Sequence, residues 1–199
     1  TPGFSNRNYE FFEKYKPHII ENGGELPASI SNEKREIVNE LILKAANSLG
    51  ISNGTIKGDI VFHENKPYII ELGARLSGGY FCSHEIPLNT GVDFLSSAIK
   101  LCIGEKIDKC SLKPSKNNPV VQRYWFPNQG RVRSITNLNK YVNHPNVKLL
   151  EIRVKPGDEI MPIHNHPSRA GVVITTGNTL EEALALSQKI INEVEILVE

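Results

Sequence analysis

Apolar positions recur along this chain with two different periods, and the change of period marks out the elements. Ile37, Val38, Leu41, Ile42, Ala45 and Leu49 fall at three- and four-residue spacing. That is one stripe of an α-helix, with Ser31 as its N-cap and Gly50 as its stop. The period then shortens to two. Over residues 58–63, Asp59, Val61 and His63 alternate with Ile60 and Phe62. Over 68–72, Ile69 and Glu71 alternate with Tyr68, Ile70 and Leu72. Both stretches read as strands, and Glu64-Asn65-Lys66-Pro67 between them is turn chemistry, so a hairpin closed around Asn65 is predicted.

The rest of the chain alternates in the same way. A helix is predicted to open between Gly91 and Asp93, to carry Phe94, Leu95, Ala98, Ile99 and Cys102, and to end at Gly104. The stretch after Gly79 (YFCSHEIPLNTGVD) reads as mostly irregular. Strands are predicted over 120–126, 147–154 and 172–175, and a short helix over 137–142. Thr179-Leu180-Glu181-Glu182 is a capping-box pattern opening a last helix, striped by Leu180, Ala183, Leu184, Ser187, Ile190, Ile191 and Val194. Before residue 30 the pattern is broken: two helical turns over 8–16 and a short strand over 18–20 are predicted. Strands mixed with helices make the class α+β. Residues 113–119 (KPSKNNP) carry two prolines and no apolar residue, which makes them a linker between a domain over 1–112 and a smaller one over 120–199.

Composition narrows the partners. A length of 199 residues suits one large domain or two small ones, and 39% hydrophobic with 23% charged residues permits a core and excludes wholesale disorder. A net charge of +1 argues against nucleic acid as the main partner. No apolar run approaches the roughly 18 residues of a membrane span, and no signal peptide opens the chain. Cys82, Cys102 and Cys110 lack metal-ligand spacing and read as reduced thiols of a cytoplasmic protein. The first residue is Thr1 rather than methionine, which reads as a processed product or a piece of something longer.

The hairpin carries the chemistry. Closure around Asn65 sets Asp59 opposite Glu71, and like charges directly opposite each other are destabilising. A divalent cation is the usual remedy, and two carboxylates with room for water and phosphate oxygens suit magnesium. Arg75 follows four residues later, then Ser77-Gly78-Gly79, where backbone amides can approach an anion. The plainer reading is an ordinary edge hairpin with two solvated acids.

The order of features decides between these readings. A helix ending in SLG, a strand with an acid, a strand ending in glutamate, ARLSGG, and TGVD opening a helix follow one another. This resembles the carboxy-terminal half of the ATP-grasp superfamily, in the branch with carbamoyl phosphate synthetase, biotin carboxylase and the amino-acid ligases. The resemblance covers residues 25–105 and continues more weakly through QRYWFPNQGRV and SRAGVVITTGNTLEEAL, which look like the small domain after the grasp. It implies an α+β lobe, an antiparallel sheet with packed helices, followed by a small α/β tail domain. It implies that Asp59 and Glu71 hold Mg2+ or Mn2+ against ATP phosphates, that Val61 packs on adenine, and that Arg75 stabilises the transition state that forms an acyl phosphate. Gly78 and Gly79 would bound the acceptor-substrate pocket.

The resemblance therefore implies a ligase joining a small-molecule carboxylate to an amine. Its partner would be the missing amino-terminal half of the grasp, in the same chain or a separate one, and a second copy of the chain is retained as a partner. Alternatives are a bicarbonate-using enzyme like carbamoyl phosphate synthetase or a carboxylase, and a non-catalytic nucleotide- or partner-binding subunit. There is one departure: many members carry an asparagine two residues after the glutamate as a third metal ligand, and here that position is Gly73.

His164-Asn165-His166 looks like the entry to a cupin metal site, but a surface loop between Pro162 and Pro167 is favoured. His84-Glu85 is either a pocket wall with a proton-transfer group or a polar loop. His63, beside the turn, reads as solvent-facing. Tyr124, Trp125 and Phe126 read as core rather than a stacking platform. Cys82 has no adjacent base and is not expected to act as a nucleophile.

Overall fold

The computed structural model describes residues 1–199, which fall into two units: Thr1–Phe4 with Ser29–Lys116, and Ser5–Ala28 with Asn117–Glu199. The break at 116/117 lies inside the proline-rich stretch. Residues 5–28 differ from the expectation that put them in the first domain. Their strands β1 (Asn6–Arg7) and β2 (Gly24–Leu26) pair with each other, and β2 pairs with β5 (Val120–Trp125), so backbone hydrogen bonds draw the segment into the second unit. Residues 18–20 form no strand, and the helix predicted over 8–16 is the single turn α1 (Phe12–Tyr15).

In the first unit, α2 (Asn32–Ser48) starts as its sequence requires, the Ser31 hydroxyl accepting from the Lys34 N–H at 3.2 Å. Val38 and Ala46 are its buried residues, whereas Ile37 and Leu49 of the predicted stripe are exposed. The helix lies against a two-stranded antiparallel hairpin, β3 (Lys57–His63) and β4 (Lys66–Gly73). At Gly58 a Cβ would stand 2.8 Å from Ile42 Cδ1, so a side chain there would require the tip of Ile42 to shift.

After Gly79 the chain is more regular than expected. A π-helical turn at Phe81–Glu85 runs into α3 (Ile86–Thr90), and Cys82, Ile86 and Val92 form a buried cluster with Leu76, Phe81, Phe94 and Leu112 around it. The next helix, α4 (Phe94–Cys102), is capped by Asp93, which accepts from the Ser96 N–H at 3.1 Å, and Gly104 follows it with φ +80°.

The second unit is built on a five-stranded antiparallel sheet in the order β1-β2-β5-β9-β7, with β7 at Val147–Ile152 and β9 at Gly171–Thr176. A smaller three-stranded sheet joins β6 (Gly130–Ile135) to β8 (Glu159–Ile160) and β10 (Ile196–Val198). Helix α5 (Leu180–Glu193) packs on β5 and β9, capped by Thr179. All of β5 is buried, Tyr124 and Trp125 included, as expected for core, and the Trp125 indole N–H donates to Val194 O at 2.8 Å. No helix is long and apolar enough to cross a membrane.

Candidate active site

The outward face of the hairpin gathers the candidate residues. The turn takes only Glu64 and Asn65, both with positive φ (+47° and +62°), and Lys66 and Pro67 belong to β4 rather than to the turn. From this two-residue turn the ladder runs His63↔Lys66, Phe62↔Pro67, Val61↔Tyr68 and Ile60↔Ile69. Continued unchanged, it would set Asp59 against Ile70. Instead the register shifts between Asp59 and Ile60, Ile70 is passed over, and Asp59 pairs with Glu71. This β-bulge re-aims the end of β4. It also separates Ile69, half-buried, from Glu71, exposed, although simple alternation puts both on one face. The predicted opposition of the two acids is present, but the bulge produces it.

A cation already holds the acids. Lys57 Nζ bonds Asp59 Oδ2 and lies 3.2 Å from Glu71 Oε1. Its side chain is 9% exposed, against 29% for Asp59 and 55% for Glu71, so the ammonium is packed in place while the carboxylates stay accessible. Sequence reasoning missed Lys57. The signal was there, since it stands two residues before Asp59 and a period of two puts both on one face. Arg75 completes the cluster, its guanidinium 3.4 Å from the same Glu71 oxygen and donating to Leu76 O at 3.0 Å.

Gly73 is the cross-strand partner of Lys57. A Cβ on Gly73 would meet Arg75 Cγ at 3.4 Å and Nε at 3.5 Å, so the arginine stem lies across the glycine. The place where the resemblance leads one to look for a third metal ligand is thus flanked by two cationic side chains. No group of three or more His, Cys, Asp or Glu is arranged to hold a metal ion. The donors present suit Mg2+ or Mn2+ that keeps water and arrives with phosphate oxygens, and they do not suit a metal held by protein alone.

The apolar neighbours are exposed: Val61 by 44% and its partner Tyr68 by 48%, on the face that carries Asp59. Past Arg75, Gly78 has open space where a Cβ would be, and Gly79 (φ +64°) and Tyr80 (φ +69°) are both left-handed before the π-helical turn. His84 Nδ1 lies 2.9 Å from Ser83 Oγ, and its ring meets Tyr80 edge-on with centroids 5.2 Å apart. The Cys82 thiol is buried and its pKa is raised, chiefly by that burial, which disfavours the thiolate. His63 is exposed, as expected.

In the second unit, Asn165 caps the short 3-10 turn His166–Ser168, accepting from the Ser168 N–H at 3.0 Å. His164 stacks on His18 with ring centroids 4.7 Å apart, and both line a cleft of about 390 Å³ with His166. His164 and His166 lie on a loop and a 3-10 turn rather than on strands.

Residues 123–199 match the family model of L-amino acid ligase C-terminal domain 2. No curated protein matches the sequence. Among solved structures, phosphoribosylglycinamide synthetase from Anaerococcus prevotii is similar with a TM-score of 0.78 and 21% identity, over 90% of this chain and 46% of that one. L-amino acid ligase from Bacillus licheniformis is similar with a TM-score of 0.75 and 22% identity, over 90% of this chain and 44% of that one. The biotin carboxylase domain of Hydrogenobacter thermophilus 2-oxoglutarate carboxylase, in complex with MgADP, ADP and bicarbonate, follows with a TM-score of 0.65 and 19% identity, over 89% and 39%. The fold is that of the carboxy-terminal lobe of ATP-grasp proteins, with antiparallel sheets and packed helices. The chain spans less than half the length of these neighbours.

Proposed function

We propose that the chain supplies the metal- and phosphate-binding half of an ATP-dependent carboxylate–amine ligase. The observation that carries this reading is the opposed Asp59–Glu71 pair with Arg75 on the same carboxylate, presented on an exposed sheet face. Phosphoryl transfer is mainly a matter of positioning and of stabilising charge, and this cluster has the groups for both. Asp59 and Glu71 are the residues that would hold magnesium or manganese. When bound, the ion would neutralise phosphate charge.

Arg75, half-exposed where it meets Glu71, would turn from that carboxylate toward anionic oxygens, which makes it the candidate catalytic residue. Val61 would support the adenine ring. Gly78, Gly79 and His84 would bound the acceptor. In the overall reaction the γ-phosphoryl group moves to a carboxylate oxygen and ADP leaves. The amine then forms the amide bond, losing a proton as phosphate departs. A bicarbonate acceptor would use the same groups. The remainder of the grasp is the partner this reading requires.

The test is Asp59→Asn combined with Glu71→Gln in the complete enzyme carrying this chain. Loss of ATP turnover by at least about a hundredfold is expected; unchanged turnover sinks the reading. A second reading, a non-catalytic nucleotide- or partner-binding subunit, is favoured by one observation: no third His, Cys, Asp or Glu joins the pair.

A further inference from the structure

We propose that Lys57 is the resident counter-cation of the Asp59–Glu71 pair, so that the site refuses a free divalent metal ion and accepts one only as a metal–polyphosphate complex. This rests on the ligase reading and specifies the form in which its nucleotide binds. Three observations lead to it. Lys57 touches both carboxylates, and its side chain is about nine-tenths buried, so the ammonium is held from the protein side. Arg75 approaches the Glu71 oxygen that Lys57 also approaches, at 3.4 Å against 3.2 Å. Gly73, facing Lys57 across the ladder, adds no donor and gives its space to the Arg75 stem.

Two carboxylates, one ammonium and one guanidinium sum to zero charge. A bare dication brought to such a cluster meets as much repulsion as attraction, and it must displace groups that already satisfy the oxygens. A metal ion carrying a triphosphate is different. Its phosphate oxygens offer Lys57 and Arg75 new anionic partners, so the carboxylates are released to the metal while both cationic side chains stay paired. Lys57 is then a phosphate-positioning residue in the bound state and a guard against free metal in the unbound one.

The experiment titrates Mn2+ alone, read by its electron paramagnetic resonance signal, onto the 199-residue chain in wild type, Lys57→Met, Lys57→Gln and Lys57→Arg. Removing the charge by Met or Gln is expected to tighten bare Mn2+ binding at least about tenfold, and Arg is expected to leave it weak. Adding Asp59→Asn to Lys57→Met should abolish the gain. Two neutral variants guard against misfolding, which far-ultraviolet circular dichroism monitors. The same variants are then titrated with Mn2+–ATP in the complete enzyme, where Lys57→Met should weaken nucleotide binding although it tightens metal binding. Equal bare-Mn2+ affinity in wild type and both neutral variants overturns the role of Lys57, whatever the nucleotide does. Tighter bare-metal binding with no response to nucleotide in any variant overturns the ligase reading and leaves the counter-cation standing.

Discussion

Gly73 shows how much one residue decides. Judged by its position it is a lost ligand, but the structure gives it a second meaning as the floor over which Arg75 reaches Glu71. A methyl group at 73 makes ordinary contact with that stem, whereas a longer side chain competes for its space. Gly73→Ala is therefore expected to stabilise the chain by about 0.5 kcal/mol through the unfolded state, measured by urea unfolding. Gly73→Asn should push Arg75 off Glu71 and lower turnover of the complete enzyme. A destabilised Ala variant would show that the contact is tighter than this geometry. Asp59 and Glu71 were legible as a pair because their separation suits a hairpin. Lys57 was overlooked because a lysine beside acids reads as solvated charge until its burial is known.

The bulge at Ile70 and the cap at Asp93 mark the two extremes of legibility at the scale of elements. A cap is local: three residues and one hydrogen bond suffice, so Ser31 and Thr179 were readable as caps and Asp93 as the opening of its helix. Asp93→Ala should cost about 1 kcal/mol of stability near neutral pH. The Ser96 hydroxyl and N–H hold the Asp93 carboxyl below its ordinary pKa. The folded state thus favours the charged form, and the contribution is present above the unfolded value near 4 and lost as pH falls through the folded one. Unfolding curves for wild type and Asp93→Ala should therefore differ near neutral pH and converge as acid protonates the Asp93 carboxylate; a difference that stays constant with pH would refute the assignment. The bulge has no such local signature. Simple alternation reached the correct opposition of Asp59 and Glu71 by assuming a longer turn, which a bulge beyond a shorter turn happens to reproduce.

For the whole molecule, the reading rests on linkage: a ligand that binds only the native state raises its melting temperature. Mg2+–ATP is expected to raise the melting temperature of the complete enzyme. At about a hundred times Kd the stabilisation is roughly 2.7 kcal/mol. A smaller shift, or none, is expected for the 199-residue chain. No shift in either would favour the non-catalytic reading over the ligase.

The sequence by itself determined what depends on near neighbours: helix periods and caps, strand alternation, the break at the proline-rich stretch, and the run of motifs from Asp59 to TGVD. Tertiary structure alone decided what depends on register and burial. It sent residues 5–28 to the second unit because β2 finds its hydrogen-bonding partner in β5, nearly a hundred residues away. It placed the bulge that turns Glu71 toward Asp59, and it buried the stem of Lys57 so that its ammonium became the pair's partner. Opposed carboxylates announce a need for positive charge, but which cation answers it is settled only when the two strands are set side by side.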